Sequence, residues 1–184
     1  MMEFVKSIKQ NVFIKNIIYV LIGSILLTLS AKIKIPFYPV PMTMQTFVVL
    51  FLGICLGSKL GAMSIIIYLF EGIVGIPVFS NSPEKGIGIV YFTGPTMGYL
   101  IGFIFASYFA GLINLKTNIV LIFLKLALSV SIIYLFGILW LGILIGWEKP
   151  IFSLGVAPFL HAELFKILIL TLICKFILKL KKFI

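Results

Sequence analysis

Long apolar segments are the feature that most restricts what this chain can fold into. Between residues 119 and 146 the sole charged side chain is Lys125, and comparable segments recur along most of the sequence. A helix of about 20 apolar residues is long enough to cross the hydrocarbon core of a bilayer. The chain is 62% hydrophobic and only 11% charged, whereas soluble domains carry about 25% charged residues. The sequence therefore predicts an integral membrane protein.

The predicted architecture is an all-α bundle of six transmembrane helices, which forms a single membrane domain over residues 1–184. The spans are expected near residues 16–35, 44–58, 60–79, 94–113, 119–146 and 156–178. Gly72, Gly75 and Pro77 interrupt the third segment, because glycine and proline weaken or break a helix. With an even number of spans, both termini lie on the same side of the membrane.

The distribution of lysines predicts that this side is the cytoplasm, because cytoplasmic connections carry an excess of positive charge. The first 15 residues are expected to remain as a cytoplasmic end, since no small-residue cleavage site follows the first apolar run. The expected location is the plasma (inner) membrane. Nucleic acid is not an expected partner, because the lysines are scattered singly between apolar segments. The lysines expected inside are Lys6, Lys9, Lys15, Lys59, Lys116, Lys175, Lys179, Lys181 and Lys182, and those expected outside are Lys32, Lys34, Lys85 and Lys149.

The sequence offers little support for enzyme chemistry. It has no GxxxxGK[ST] phosphate loop, its sole histidine is His161, and it has no Asp to complete a Ser-His-Asp triad. Cys55 and Cys174 are far apart in apolar runs, without the spacing of a zinc or redox motif. The chain is therefore expected to be neither an enzyme nor a protein with a metal or another cofactor.

The sixth predicted span carries charge where lipid would disfavour it. Glu163 and Lys166 are three residues apart and share one helix face. They either neutralise each other so that the helix can insert, or form part of a binding site, since intramembrane charges usually face a bundle interior or a cavity. His161 is closer to the interface and is expected to reach the outer surface. Glu71 either lines a cavity or caps freed backbone groups beside the break in the third span.

Two connections on the predicted outer side are long and irregular. Residues 36–45 contain three prolines and end with Thr43 and Gln45, which suggests a semi-rigid lid with polar tips. Residues 80–95 lead into the fourth span. The connection contributes the amide of Asn81, the cation of Lys85 and the aromatic ring of Tyr91, and the span contributes the ring of Tyr99. The composition suits a small amphipathic ligand, whose anionic group would meet Lys85 or the amino end of the fourth span.

Small residues recur at four-residue spacing, as at Gly53, Gly57 and Gly61. Such spacing allows helices to approach closely in a membrane. Packing within one subunit is the expected use, while Ser24 and Thr28 on the first span are also candidates for contact with a partner helix. Lys125 is expected to extend its long stem back to the headgroups.

Several longer motifs are similar to those of the BioY family, the biotin-binding S components of energy-coupling-factor (ECF) vitamin transporters. The motifs are PVPMTMQ at 39–45, GIPVF at 75–79, GPTMGY at 94–99 and VAPFLHAELFK at 156–166. The resemblance implies a six-helix subunit that captures biotin from outside and works with a transmembrane T component and ATP-binding cassette ATPases. The rival functions are carriage of another small vitamin or ion and a non-transporting membrane scaffold.

The resemblance also implies roles for particular residues. The family's acid and lysine that bind the ring end of the ligand correspond to Glu163 and Lys166, with Glu in place of the family's Asp. Leu100 stands where some relatives have an arginine, so Lys85 is the expected partner of the ligand's carboxylate. A carboxylate accepts from a ureido N–H group and an ammonium donates to the ureido oxygen, which matches biotin's ring. The predicted substrate-binding residues are Glu163, Lys166, Gln45, Thr43, Asn81, Lys85, Tyr91 and Tyr99.

Overall fold

The protein is a helical bundle with one small β-hairpin. The computed structural model describes the backbone of residues 2–180 and the side chains of residues 11–174. The helices are α1 (Met2–Lys32), α2 (Gln45–Leu56), α3 (Ser58–Ile73), α4 (Met97–Gly111), α5 (Ile119–Ile145), α6 (Ile151–Gly155) and α7 (Leu160–Leu180). Strands β1 (Lys34–Ile35) and β2 (Met42–Thr43) pair antiparallel between α1 and α2. Two 3-10 helices, Gly88–Thr93 and Ala157–Phe159, precede α4 and α7.

The prediction of an all-helical membrane protein is confirmed. Three helical segments are long and apolar enough to cross a bilayer, namely Asn11–Lys32, Ile119–Ile145 and Ile151–Cys174. Helices α2 and α4 are shorter apolar helices. The count of six spans and the side of the termini stay predictions. Helix α3 ends at Ile73, before the glycine and proline of the GIPVF motif.

The long connections gather at one end of the bundle. The Lys32 ammonium, at the end of α1, contacts the carbonyl oxygens of Pro77 and Phe79 in the connection between α3 and α4. The Tyr99 hydroxyl, near the start of α4, donates to the carbonyl oxygen of Gly155 in α6. We call this the cavity end. The opposite end holds the short turn at Gly57 and the connection 112–118 between α4 and α5.

Glycines bring α2, α3 and α4 into close contact. A Cβ placed on Gly61 of α3 would lie 2.8 Å from both the Gly53 Cα atom of α2 and the Ser107 hydroxyl oxygen of α4. No larger side chain fits there without movement of a backbone. This small-residue stripe therefore serves packing within the subunit.

Helix α1 contacts α3 through polar side chains as well. Ser24 is buried, and its hydroxyl donates a hydrogen bond to the Glu71 carboxylate of α3. Glu71 does not line the main cavity, and this hydrogen bond gives its carboxylate a partner inside the bundle. Ser24 therefore faces α3 of the same chain rather than an outer surface.

Candidate ligand-binding site

A cavity lies at the cavity end of the bundle and includes about 540 Å³ of empty space with its mouth. Its walls come from α2, α3, α4, α5 and α7, from the hairpin, and from the connection between α3 and α4. Five helices and two connections thus converge on one space, although their residues are widely separated along the chain. The lining side chains are mostly apolar or aromatic, and a few polar groups stand among them. This is the usual composition of a small-molecule site.

The charged part of the cavity is built on Glu163 and Lys166. Only 5% of Glu163 and 6% of Lys166 is exposed, and the Lys166 ammonium lies 2.8 Å from Glu163 Oε1. Lys166 also donates to the Thr46 hydroxyl at 2.9 Å and to the Thr43 carbonyl oxygen at 2.6 Å. The Thr46 hydroxyl in turn donates to Glu163 Oε1 at 2.8 Å. The three N–H groups of Lys166 therefore have three protein acceptors.

The second carboxylate oxygen of Glu163 is different. Glu163 Oε2 is buried and has no hydrogen-bond partner among the residues that the structure describes, while Glu163 itself lines the cavity. A buried polar atom without a partner costs free energy, and a buried carboxylate costs more than a neutral group. A ligand N–H group within reach of Oε2 would remove that cost. The cavity therefore offers one strong acceptor.

Neutral polar groups stand on another wall. The Gln45 side-chain amide donates to the Tyr68 hydroxyl at 2.7 Å, and the Tyr68 hydroxyl donates to the Val78 carbonyl oxygen at 3.3 Å. The Thr43 hydroxyl accepts from the Gln45 backbone N–H and lies 3.3 Å from its side-chain oxygen. This network fixes the orientation of the amide at the first residue of α2.

Aromatic rings form much of the remaining wall. Phe79 stacks on Tyr91 with ring centroids 4.5 Å apart and meets Tyr68 edge to face at 5.3 Å. Tyr134 and Phe159 stack on the other side at 6.2 Å. Such pairs hold flat apolar surfaces in place, so the cavity presents rigid faces to an apolar ring.

Lys32 at the end of α1 and Lys34 at the start of β1 hold the connection that carries Phe79 and Ser80. Lys32 donates to the carbonyl oxygens of Pro77, Phe79 and Ser82 at 2.9, 2.8 and 3.0 Å. Lys34 donates to the Ser80 carbonyl oxygen at 2.7 Å and lies 3.5 Å from the Glu84 carboxylate. Because Phe79 and Ser80 line the cavity, these contacts position part of its wall.

The structure brings together most of the residues predicted to bind the ligand. Thr43, Gln45, Tyr91, Tyr99 and Glu163 line the cavity. Lys166 lies behind Glu163, bonded to it. The Tyr99 hydroxyl is already engaged, since it donates to the Gly155 carbonyl oxygen at 2.9 Å.

Asn81 and Lys85 do not line this cavity. The Asn81 side-chain oxygen accepts from Lys34 at 3.1 Å. Lys85 is exposed, and its ammonium lies 5.9 Å from the centre of the Tyr38 ring. At the surface, Lys85 thus links the connection between α3 and α4 to the connection between α1 and α2. His161 is exposed at the start of α7.

Sequence reasoning missed Thr46, Tyr68, Ser80 and Tyr134, all of which line the cavity. Thr46 directly follows Gln45, so a polar pair at the start of a span was a usable signal. Tyr68 and Tyr134 are single aromatic residues in apolar helices, and nothing in the sequence separates them from ordinary core residues. Among the described residues, no group of three His, Cys, Asp or Glu side chains is placed to hold a metal ion.

Comparison with known proteins gives consistent matches over nearly the whole chain. The model described as "BioY family" matches residues 4–183. The "Probable biotin transporter BioY" of Pyrococcus horikoshii is 40% identical over 141 residues, which are 77% of this chain and 82% of the relative. The protein of the same name from Rickettsia prowazekii is 30% identical and covers 98% of this chain and 92% of its own length. The "Biotin transporter BioY" of Thermotoga maritima is 35% identical, and the match covers 85% of this chain and 90% of the relative.

One solved structure shares the fold. It is the crystal structure of the S-component for biotin from an ECF-type ABC transporter, with a TM-score of 0.76 and 23% sequence identity. The match covers 92% of this chain and 93% of the other. Together with the membrane-spanning helices, these matches confirm the prediction of a multi-pass plasma-membrane protein.

Proposed function

The chain belongs to the BioY family, and on this premise we propose that it binds biotin in the cavity described above and serves as the substrate-binding subunit of an ECF-type transporter. The relatives are named as biotin transporters, and none of the three described above is named as an enzyme. In this function the cavity captures the vitamin, and partner proteins supply the energy for transport.

The observation that carries the proposal is that Glu163 lines the cavity and that its buried Oε2 atom has no hydrogen-bond partner among the described residues. Biotin's ureido group has two N–H donors and one carbonyl acceptor. We assign the contact with one ureido N–H to Glu163 Oε2. A hydrogen bond to a buried carboxylate is stronger than a neutral one, and a ligand without this donor leaves the oxygen unpaired. The site therefore selects for the ureido group.

Lys166 has a related role. Its three ammonium N–H groups are directed to Thr43, Thr46 and Glu163. We propose that Lys166 primarily holds the Glu163 carboxylate in its orientation, since removal of one partner of a buried ion pair is costly. Donation from Lys166 to the ureido oxygen, as the sequence suggests, requires exchange of one of these protein acceptors for the ligand. The side chain still contributes to binding in either arrangement.

The side chains that line the cavity suggest where the thioether ring and the tail of biotin lie. Biotin's thioether ring is apolar and fits the rigid aromatic surface around Phe79 and Tyr91. The anionic tail extends towards the connection between α3 and α4, where the Ser80 and Tyr91 hydroxyls lie 3.3 Å apart. Lys85, on the same connection, remains the proposed charge partner of the carboxylate as the tail leaves the cavity.

Isothermal titration of the purified protein with biotin tests this assignment. We expect E163Q and K166M each to weaken binding by about 2 kcal/mol or more, roughly 30-fold in Kd, because each leaves a buried charged partner unpaired. H161Q is the matched control, since His161 is an exposed residue on the same helix. Parent-like affinity in both site variants would falsify the site. Titration with a des-carboxyl analogue measures the tail's contribution separately.

We also propose that steady import depends on a T component and ATP-binding cassette ATPases. The chain has no phosphate-loop motif, and the S-component whose fold it shares comes from an ECF-type ABC transporter. Proteoliposomes that contain this chain alone should bind labelled biotin without accumulating it, and accumulation should require partners and ATP. ATP-independent accumulation by the chain alone would contradict the dependence but leave the binding site intact.

A further inference from the structure

Lys125 is a charged residue within the longest apolar helix, and the proposed function does not use it. It lies six residues after Ile119, where α5 begins, which corresponds to about 9 Å along the helix axis. The side chain is half-buried and lines a groove between α4 and α5 with about 530 Å³ of empty space. Apolar side chains of both helices form the other walls, among them Phe109 of α4 and Leu128 of α5.

The Lys125 ammonium has no hydrogen bond or ion pair with any side chain or carbonyl that the structure describes. The Ser129 hydroxyl, the other polar side chain of the groove, donates to the Lys125 carbonyl oxygen at 2.9 Å. The charge is therefore left without an anion from the described part of the chain. An ionisable group at this depth is costly unless it pairs or reaches the interface.

Acidic and basic side chains are unevenly distributed between the two ends of the bundle. Among the side chains that the structure describes, the acids are Glu71, Glu84, Glu148 and Glu163, and all belong to the cavity end. The opposite end has exposed lysines, including Lys59 at the start of α3 and Lys116 in the connection between α4 and α5. An anion for Lys125 must therefore come from outside the described residues.

The shape of the groove indicates which anion fits. Below Lys125 the groove continues along Leu128 and Ile132, one and two turns further into the helix. A positive charge near the interface above an apolar channel is complementary to a phospholipid, with phosphate at the surface and an acyl chain in the bilayer.

We infer that the groove between α4 and α5 is a binding site for an anionic phospholipid. The phosphodiester pairs with the Lys125 ammonium, Lys116 adds positive charge at the mouth, and one acyl chain lies against Leu128 and Ile132. The inference does not depend on biotin binding, because none of these residues lines the cavity.

Native mass spectrometry of the full chain, titrated with phosphatidylglycerol or phosphatidylcholine, tests the site. The parent should retain one phosphatidylglycerol in preference to phosphatidylcholine. K125M should reduce that preference by about fivefold, the typical effect of one lysine near a membrane surface. K125R keeps the charge and should retain the preference. K59M removes an exposed lysine from the same end and should bind like the parent.

A second variant tests the site independently, in case K125M fails to fold. L128W fills the groove at an exposed position and leaves the lysine in place, so it should also reduce retention of phosphatidylglycerol. Equal retention of both lipids by the parent, or undiminished preference in K125M, overturns the inference, and Lys125 then serves another anion such as an acidic partner helix. Inorganic phosphate is the comparison for the headgroup alone, and competition by it at equal concentration would also overturn the lipid assignment.

Discussion

Thr46 shows how one hydroxyl organises the charged part of the cavity. It accepts from Lys166 and donates to Glu163, at 2.9 and 2.8 Å. A hydroxyl can do both at once, whereas an apolar side chain of the same shape can do neither. Thr46 thus holds the carboxylate through Oε1, while Oε2 has no partner among the described residues.

T46V should weaken biotin binding by at least about fivefold, because the Glu163 carboxylate loses a hydrogen bond, worth about 1 kcal/mol or more, that orients it. Titration calorimetry provides the measurement. T171V is the matched control, since Thr171 is also buried but its hydroxyl donates only to the Ile167 carbonyl oxygen of its own helix. Equal affinities of T46V and T171V would show that the Thr46 hydroxyl does not orient the site.

K32M should release biotin faster than the parent. Lys32 donates to three carbonyl oxygens of the connection that carries Phe79, and their loss frees part of the cavity wall. We expect a dissociation rate about fivefold higher, for a loss of about 1 kcal/mol. Stopped-flow displacement of a fluorescent biotin measures it. K149M is the control, an exposed lysine at the same end, and an unchanged rate in K32M would contradict the positioning role.

At the scale of helices, glycines determine how closely neighbouring helices approach each other. Gly53 and Gly61 let α2 and α3 meet, and Ser107 of α4 lies against the same point. There is little hydrophobic drive between helices in lipid, so van der Waals contact at such crossings stabilises the bundle. The shape of the cavity depends on these helix crossings, because α2, α3 and α4 each contribute side chains to its walls.

G61A should lower the thermal stability of the detergent-solubilised protein. Alanine normally favours a helix over glycine by about 0.5–1 kcal/mol, but here its Cβ would lie 2.8 Å from Gly53 Cα. Overpacking of this kind costs about 1–3 kcal/mol. I66A, on the exposed face of the same helix, should melt close to the parent. A higher melting temperature in G61A would mean that the helices are further apart than described.

For the whole molecule, the difference in charge between the two ends of the bundle predicts which end faces the cytoplasm. The cavity end contains every acid whose side chain is described, and the exposed lysines at the opposite end, such as Lys59 and Lys116, have no described acid at that end. Positive-inside statistics place the lysine-rich connections in the cytoplasm. The cavity would then open to the outside, as uptake of a vitamin requires.

Labelling of single introduced cysteines tests this orientation. Lys149 is exposed at the cavity end and Lys116 is exposed at the opposite end, while the native Cys55 and Cys174 are buried. In intact cells a membrane-impermeant maleimide should label K149C but label K116C only after permeabilisation. The parent protein controls for the native cysteines. The reverse pattern would place the cavity on the cytoplasmic side.

The apolar runs and the break at GIPVF by themselves determined the class of protein and most helix positions. These properties depend on neighbouring residues, since a run long enough to cross the bilayer must be helical to satisfy its own backbone. Glu163 and Lys166 could be singled out because charge in a span is costly wherever it lies. The BioY motifs then suggested the ligand.

Only the tertiary structure decided what surrounds that pair. Thr46 lies 117 residues from Glu163 along the chain, and the hydrogen bonds of Lys32 join residues 45 to 50 positions apart. The same packing leaves Lys85 at the surface and Asn81 with Lys34, outside the cavity for which the sequence proposed them. Composition identifies which groups can bind a ligand, but long-range packing selects which of them face the same space.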